Sequence, residues 1–301
     1  MTDPTSRRDA LKCLGVGAGT LFTLSGGVLS AFDIAEARSN MGTPLFLQIS
    51  DTHIGFNKEA NPDVVGTLNR TIDAVNSLPM PPAFALHTGD VTHLSKASEF
   101  DTAAQLLTRL KVSELHVVPG EHDVTDGPGT EFFSRFGRPS ANKGYYSFDA
   151  QGVHFIALVN VMNFKPNGLG ALGQDQLDWL TQDLAGLAAS QPVVVFAHMP
   201  LWTIYEPWGW GTGEGEQIAT LLRRFGSVTV LNGHIHQIVQ KIEGNILFHT
   251  ARSTAYPQPQ AGSGPGPGPL LVPSAQLPGM LGVTTAVVRK KNLSLTDTTL
   301  A

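Results

Sequence analysis

Five short stretches of this chain carry side chains suited to holding cations: Ser50-Asp51-Thr52-His53, Thr88-Gly89-Asp90, Gly120-Glu121-His122-Asp123, Ala197-His198-Met199-Pro200 and Asn232-Gly233-His234-Ile235-His236. Half of the chain's 10 histidines fall in them. Each stretch alone has a plain explanation, since a lone His is commonly a satisfied side chain and Asp starts turns by bonding its own downstream backbone. The ordered set is more specific. Imidazole with carboxylate, and without thiolate, suits borderline-to-hard divalent or trivalent metals. One Asp shared among several His is what holding two cations a few ångströms apart requires.

Each stretch follows an apolar run that reads as a strand. The runs are 45–50, 83–88, 114–119, 145–150, 153–159, 192–198 and 228–233. Several are continuously apolar, as expected of strands covered on both faces. Helical patterns lie between many of them, over 63–77, 95–110, 173–188 and 214–225. In the third, Leu177, Leu180, Leu184 and Leu187 recur at helical spacing and form one apolar stripe. From 237 onward the segments are β-like with little helix. The alternation implies an α/β protein whose motif-bearing strand ends gather at one sheet edge, where such sheets bind ligands. Residues 257–274, rich in Pro and Gly, form no strand or helix; they read as a surface connection, with a role in covering the site as the alternative.

The ordered motifs Asp-x-His, Gly-Asp, Gly-x-His-Asp, His and Gly-His-x-His resemble the calcineurin-like metallophosphoesterases, which include purple acid phosphatases and cyclic-nucleotide phosphodiesterases. The likeness spans roughly residues 45–251. It implies a four-layer α/β/β/α sandwich and a metal-dependent phosphoester hydrolase, either phosphodiesterase or phosphatase, with a small-molecule substrate. It also implies two metal ions, Fe, Mn or Zn, that polarise a phosphoryl oxygen and activate a hydroxide. Carried onto this chain, Asp51, His53 and His236 would bind one ion, and His198 and His234 the other, with Asp90 between them. His122 would stand beside the substrate, its ring oriented by Asp123.

Glu121 departs from that pattern, which has Asn there. A glutamate brings a negative charge and one more methylene of reach to the second ion. With Asp51 and Asp90 it gives three carboxylates, which favour a more highly charged metal pair and weaken attraction for an anionic phosphate. Alternatively Glu121 turns away and the second position is weak. The same residue supports another use of the site, in redox chemistry, metal storage or assembly of a partner.

Other residues are weaker candidates. Residues 201–216 hold Trp202, Trp208 and Trp210 and read as a mobile rim or as a loop packed on the core. His93, Asn163 and Arg252 lie near motif ends, whereas His87, His116 and His154 lie within strands and read as structural. At the N-terminus, Arg7-Arg8, the apolar stretch from Cys13 to Phe32 and Ala35-Glu36-Ala37 have the layout of a twin-arginine signal over 1–37. Export to the periplasm or beyond would leave the catalytic domain as 38–301, without its only cysteine and without a membrane anchor. A net charge of −5 and no basic patch argue against a nucleic-acid partner.

Overall fold

The apolar runs do form strands, and their side chains divide between two faces. The computed structural model describes residues 20–25, 28–33, 45–137, 144–163, 165, 168–289 and 292–301. They fall into two units, Met1–Gly42 and Thr43–Ala301. In the first, Thr20–Ser25 (β1) pairs antiparallel with Val28–Asp33 (β2). The Arg pair, Cys13 and Ala35–Ala37 of the expected signal lie outside the described residues. Among the described residues no helix is long and apolar enough to cross a membrane.

The second unit holds two sheets. The first contains Phe46–Ile49 (β3), Phe84–His87 (β4), Leu115–Val117 (β5), Gly282–Arg289 (β12) and Asn292–Thr299 (β13) in the order β13-β12-β3-β4-β5. The second contains Tyr146–Ala150 (β6), Val153–Ala157 (β7), Val193–Phe196 (β8), Val228–Asn232 (β9), Gln240–Glu243 (β10) and Ile246–Thr250 (β11) in the order β10-β11-β9-β8-β7-β6. β3, β4 and β5 run parallel, as do β7, β8, β9 and β11. The motif-bearing strands therefore belong to two sheets, as the sandwich implied by the resemblance requires; the single sheet edge suggested by the alternation of strands and helices alone does not hold.

Alternation explains the layering, because successive side chains of a strand point to opposite faces. Phe46, Phe84 and Leu86 meet Phe155, Val194, Phe196 and Leu231 in a core between the sheets. On the outer face of the first sheet, Leu47, Ile49 and Ala85 pack with residues of Val64–Asn76 (α1), Ala97–Leu107 (α2) and Thr130–Phe136 (α3). On the outer face of the second, Val193, Val195, Val228 and Val230 pack with Gln174–Ala185 (α4) and Gly215–Leu222 (α5). This is the α/β/β/α sandwich. Burial of each large side chain stabilises by about 1.5–3 kcal/mol, which explains why these strands read as unbroken apolar runs.

Local signals set the helix ends. Asp63 caps α1 by accepting from the Gly66 amide at 2.8 Å, satisfying one of the free donors of the first turn. α4 buries Leu177, Leu180 and Leu184 and stops at Gly186, so Leu187 packs on the core from beyond the helix. The short α3 and Leu277–Met280 (α6) were not anticipated, being too brief for a helical period to show. Residues 257–274 contain no helix or strand, as their composition requires.

Candidate metal centre

Asp51 and His53 follow β3, Asp90 follows β4, Glu121 follows β5, His198 follows β8, and His234 and His236 follow β9. The strands end there because the chain must turn sharply. Asp51, His53, Asp90, His234 and His236 all have positive φ, from 41° to 70°. Such backbone costs about 1–3 kcal/mol per residue and persists where the surroundings over-determine it. Two glycines make room. A Cβ on Gly233 would overlap Ser50 Oγ and Asp51 Oδ2, and one on Gly120 would overlap the Asp90 carboxylate.

All seven expected ligands come together, in two groups. Asp51, His53 and His236 form one, their candidate ligand atoms within 4.8 Å of one another; Glu121, His198 and His234 form the other. In the first, His53 Nε2 is 3.2 Å from His236 Nε2, which is 3.2 Å from Asp51 Oδ1. In the second, Glu121 Oε2 is 2.8 Å from His198 Nε2, and Glu121 Oε1 is 2.9 Å from His234 Nδ1. Glu121 therefore points into the site, and the reading in which it turns away does not hold. Asp90 Oδ2 stands between the groups, 3.5 Å from His53 Nε2 and 3.4 Å from His198 Nε2.

The atoms are arranged for ions more than for each other. Glu121 Oε2, His198 Nε2, His234 Nδ1 and Asp51 Oδ2 are buried and make no hydrogen bond, although the first three have a partner at hydrogen-bonding distance. Buried polar atoms close together yet misaligned for hydrogen bonding are what a shared cation requires, since its ligands aim at a common point. The opposite ring nitrogens are fixed. His198 Nδ1 donates to the Thr88 carbonyl at 2.7 Å and His236 Nδ1 to the Tyr256 carbonyl at 2.6 Å. In the neutral ring that a cation would require, each Nε2 is thereby left as the lone-pair atom facing inward. The donor set and the unpartnered atoms fit a pair of metal ions.

The charges agree. Burial opposes ionisation of Glu121, but His234 and His198 outweigh it and hold its carboxyl well below the usual range. Burial likewise opposes charge on His198, which Asp90 and Glu121 raise well above the usual imidazole value. For His53, burial and then His122 push the imidazole well down, keeping it neutral. His93 is lowered to about 4 by burial, then by His122 and Lys58.

His122 lines the cavity over these groups, but Asp123 does not orient its ring. His122 Nδ1 donates to the His93 carbonyl at 2.8 Å. The Asp123 carboxylate instead accepts from the Val91, Thr92 and Gly120 amides and from Thr92 Oγ1, at 2.8–3.0 Å. It clasps the loop after β4 to the loop after β5. Burial and the nearby Asp90 charge push its carboxyl up to about 7.

The cavity measures about 200 Å³, and Phe56, Lys58, His93, Trp208, Tyr256, Gln258, Pro267 and Pro269 line it with the motif residues. The Pro/Gly-rich segment thus covers the site and is more than a surface connection. The Trp-bearing segment divides between cavity rim and core: Trp208 borders the cavity, whereas Trp210 is 1% exposed and Trp202 packs on Phe248. Asn163 lies elsewhere, in a cavity of about 330 Å³ that contains none of the motif residues. Size does not locate the chemistry here. Arg252 donates to the Met280 carbonyl. His87, His116 and His154 contact Thr52, Phe148 and the pair Asp149 and Asp183 respectively, as structural residues. Tyr256 escaped sequence reading. Its ring stacks on His53 at 4.9 Å and its hydroxyl is 3.3 Å from His53 Nε2. It belongs to no recurrent motif, so only its carbonyl and ring positions reveal it.

Comparison with known proteins agrees with this geometry. The calcineurin-like phosphoesterase family matches residues 44–238. The chain is 28% identical over 236 residues to the mouse serine/threonine-protein phosphatase CPPED1, covering 70% of this chain and 75% of that protein. Among solved structures, a dimetal phosphatase from Danio rerio superposes with a TM-score of 0.62 at 15% identity, covering 86% of this chain and 97% of that one. The yellow lupin purple acid phosphatase PPD1 gives 0.61 at 13% identity, covering 85% and 51%. With well over half of its length matched and both candidate ligand groups assembled, the chain belongs to the calcineurin-like phosphoesterase family, and its chemistry is metal-dependent hydrolysis of phosphoesters.

Proposed function

We propose that the protein is a phosphomonoesterase working on small substrates with two ions of Fe, Mn or Zn. Asp51, His53 and His236 would hold one and Glu121, His198 and His234 the other, with Asp90 shared. The carrying observation is the placement of one Asp90 oxygen, Oδ2, 3.5 Å and 3.4 Å from a ligand nitrogen of each group. Bound there, the cations would supply Lewis acidity toward a phosphoryl oxygen and a nucleophile at neutral pH.

The chain's own residues set the conditions. Because His122 Nδ1 donates to the His93 carbonyl, its Nε2 is the atom that can hold or transfer a proton at the leaving oxygen. Asp123 keeps Glu121 and Asp90 in register by bonding both loops. Trp208 and the Pro267–Pro269 segment wall the cavity, which excludes water and strengthens charge interactions inside. A volume of about 200 Å³ suits one phosphoryl group with one modest organic arm, below the roughly 300 Å³ at which drug-sized sites begin. The names of the phosphatase relatives support the monoester reading.

The test is hydrolysis of 4-nitrophenyl phosphate against bis(4-nitrophenyl) phosphate by metal-reconstituted protein. A kcat/KM about tenfold or more higher for the monoester is expected, about 1.4 kcal/mol; preference for the diester would sink the reading. Export belongs to the same proposal. Arg7-Arg8, the apolar run after them and Ala35–Ala37 support a twin-arginine route to the periplasm or beyond. Arg7→Lys with Arg8→Lys should retain the protein in the cytoplasm, and unchanged export of that variant would remove the support.

A further inference from the structure

Among the described residues one lysine lines the cavity: Lys58. Its backbone is held in place although the residue is exposed. The Lys58 carbonyl accepts from the Asn61 amide at 3.0 Å. The buried Asn61 side chain donates to the Ala255 carbonyl at 2.6 Å and to Thr67 Oγ1 at 3.1 Å. The turn is thus anchored to helix α1 and to the segment that carries Tyr256. Among the described residues Lys58 forms no ion pair, even though Asp90 and Glu121 line the same cavity. Lys96, three residues after His93, is different: it lies 3.9 Å from Glu99 Oε1.

An unpaired ammonium at the mouth of a site rich in carboxylates leaves its charge for a ligand. We infer that Lys58 selects phosphomonoesters over diesters by meeting the second negative charge that only the monoester carries. That charge forms with a pKa near about 6, and lysine acts on phosphate as a mobile point charge without fixed geometry. Pro267–Pro269 line the same cavity. This role rests on the monoesterase reading and names the residue that produces it.

The experiment uses the full chain reconstituted with metal, as wild type, Lys58→Gln and Lys58→Arg. Monoester and diester kcat/KM are measured on the same preparation, so any difference in active fraction cancels in their ratio. In Lys58→Gln the ratio should fall about fivefold to tenfold, the size expected of one partly exposed charge, mainly through monoester KM. Lys58→Arg should restore most of it. In the wild type, monoester KM should drop as pH rises from 5 to 7 and the substrate loses its second proton; in Lys58→Gln that drop should flatten. An unchanged ratio in Lys58→Gln, whether both rates fall or neither does, overturns the role of Lys58 alone. A diester preference in the wild type overturns the reading of the site on which it rests.

Discussion

The two halves of the candidate metal centre are built from similar side chains but held differently. Asp51, His53 and His236 are 0–1% exposed and already contact one another or fixed carbonyls. In the other half Glu121 has a side chain 15% exposed, and His234 has neither ring nitrogen hydrogen-bonded. The first half resembles a preorganised socket that keeps its shape through its own contacts. The second is closed by Glu121, which lies 2.8 Å from His198 and 2.9 Å from His234, and its Glu121 and His234 side chains are the more exposed. Preorganised ligands bind with less reorganisation, so the two positions should differ in affinity and in exchange with solvent.

The largest effect should come from removing what the halves share. Asp90→Asn should lose more than one metal equivalent and cost at least about a hundredfold in activity, given that even outer hydrogen-bonding partners of ligands cost about 10–100-fold. His53→Ala should mainly empty the first half. Elemental analysis of both purified variants checks this; equal, small losses would show that Asp90 joins nothing.

A smaller change sharpens the contrast from the second half. Glu121→Asn removes a carboxylate whose oxygens lie 2.8 Å from His198 and 2.9 Å from His234. Two unit charges about 4 Å apart interact by roughly 4 kcal/mol at an effective dielectric near 20, so a partly screened change should be visible. Turnover of simple phosphoesters should rise and retention of a trivalent ion should weaken, read by steady-state kinetics and metal analysis of one preparation. If neither moves, Glu121 plays no part at the second position.

Asp123 tests the support beneath that half. Asp123→Ala leaves three backbone amides without their acceptor, at an expected cost of about 2–4 kcal/mol. Chemical denaturation should show a lower midpoint, and Glu121 should lose register, so metal loss should favour the second half. Full stability would mean that the clasp is idle.

The smallest effect is a control away from the centre. Burial opposes charge on His154, but Asp183 and Asp149 raise its pKa above the ordinary 6.5. Burial also opposes ionisation of Asp183, which His154 and Ser147 lower below 3.8. The His154 contribution is complete below 6.5 and fades as pH rises through its raised value. The Asp183 contribution is complete above 3.8 and fades as pH falls through its lowered value. His154→Asn should therefore destabilise more at pH 5.5 than at pH 9 in denaturation curves, with metal content unchanged. The same loss at both pH values would remove the pairing.

The seven candidate ligands were legible as a set because their chemistry is local: carboxylate and imidazole types, placed just after apolar strands, need no knowledge of the fold to be recognised as possible metal donors. The strands and four main helices were legible for the same reason, since Leu177, Leu180 and Leu184 or the run Val193–Phe196 declare their period or their burial directly. The resemblance implied two sheets, but only the tertiary structure could assign each strand to one of them, because an apolar strand buried on both faces reads the same whichever sheet takes it. It also assigned Asp123 to backbone amides 31 and 32 residues away in the chain, and brought Tyr256 and Pro267–Pro269 over the site. Those are contacts between segments far apart in sequence, and no local pattern encodes the partner of a carboxylate or the path of a Pro/Gly-rich segment that has no period of its own.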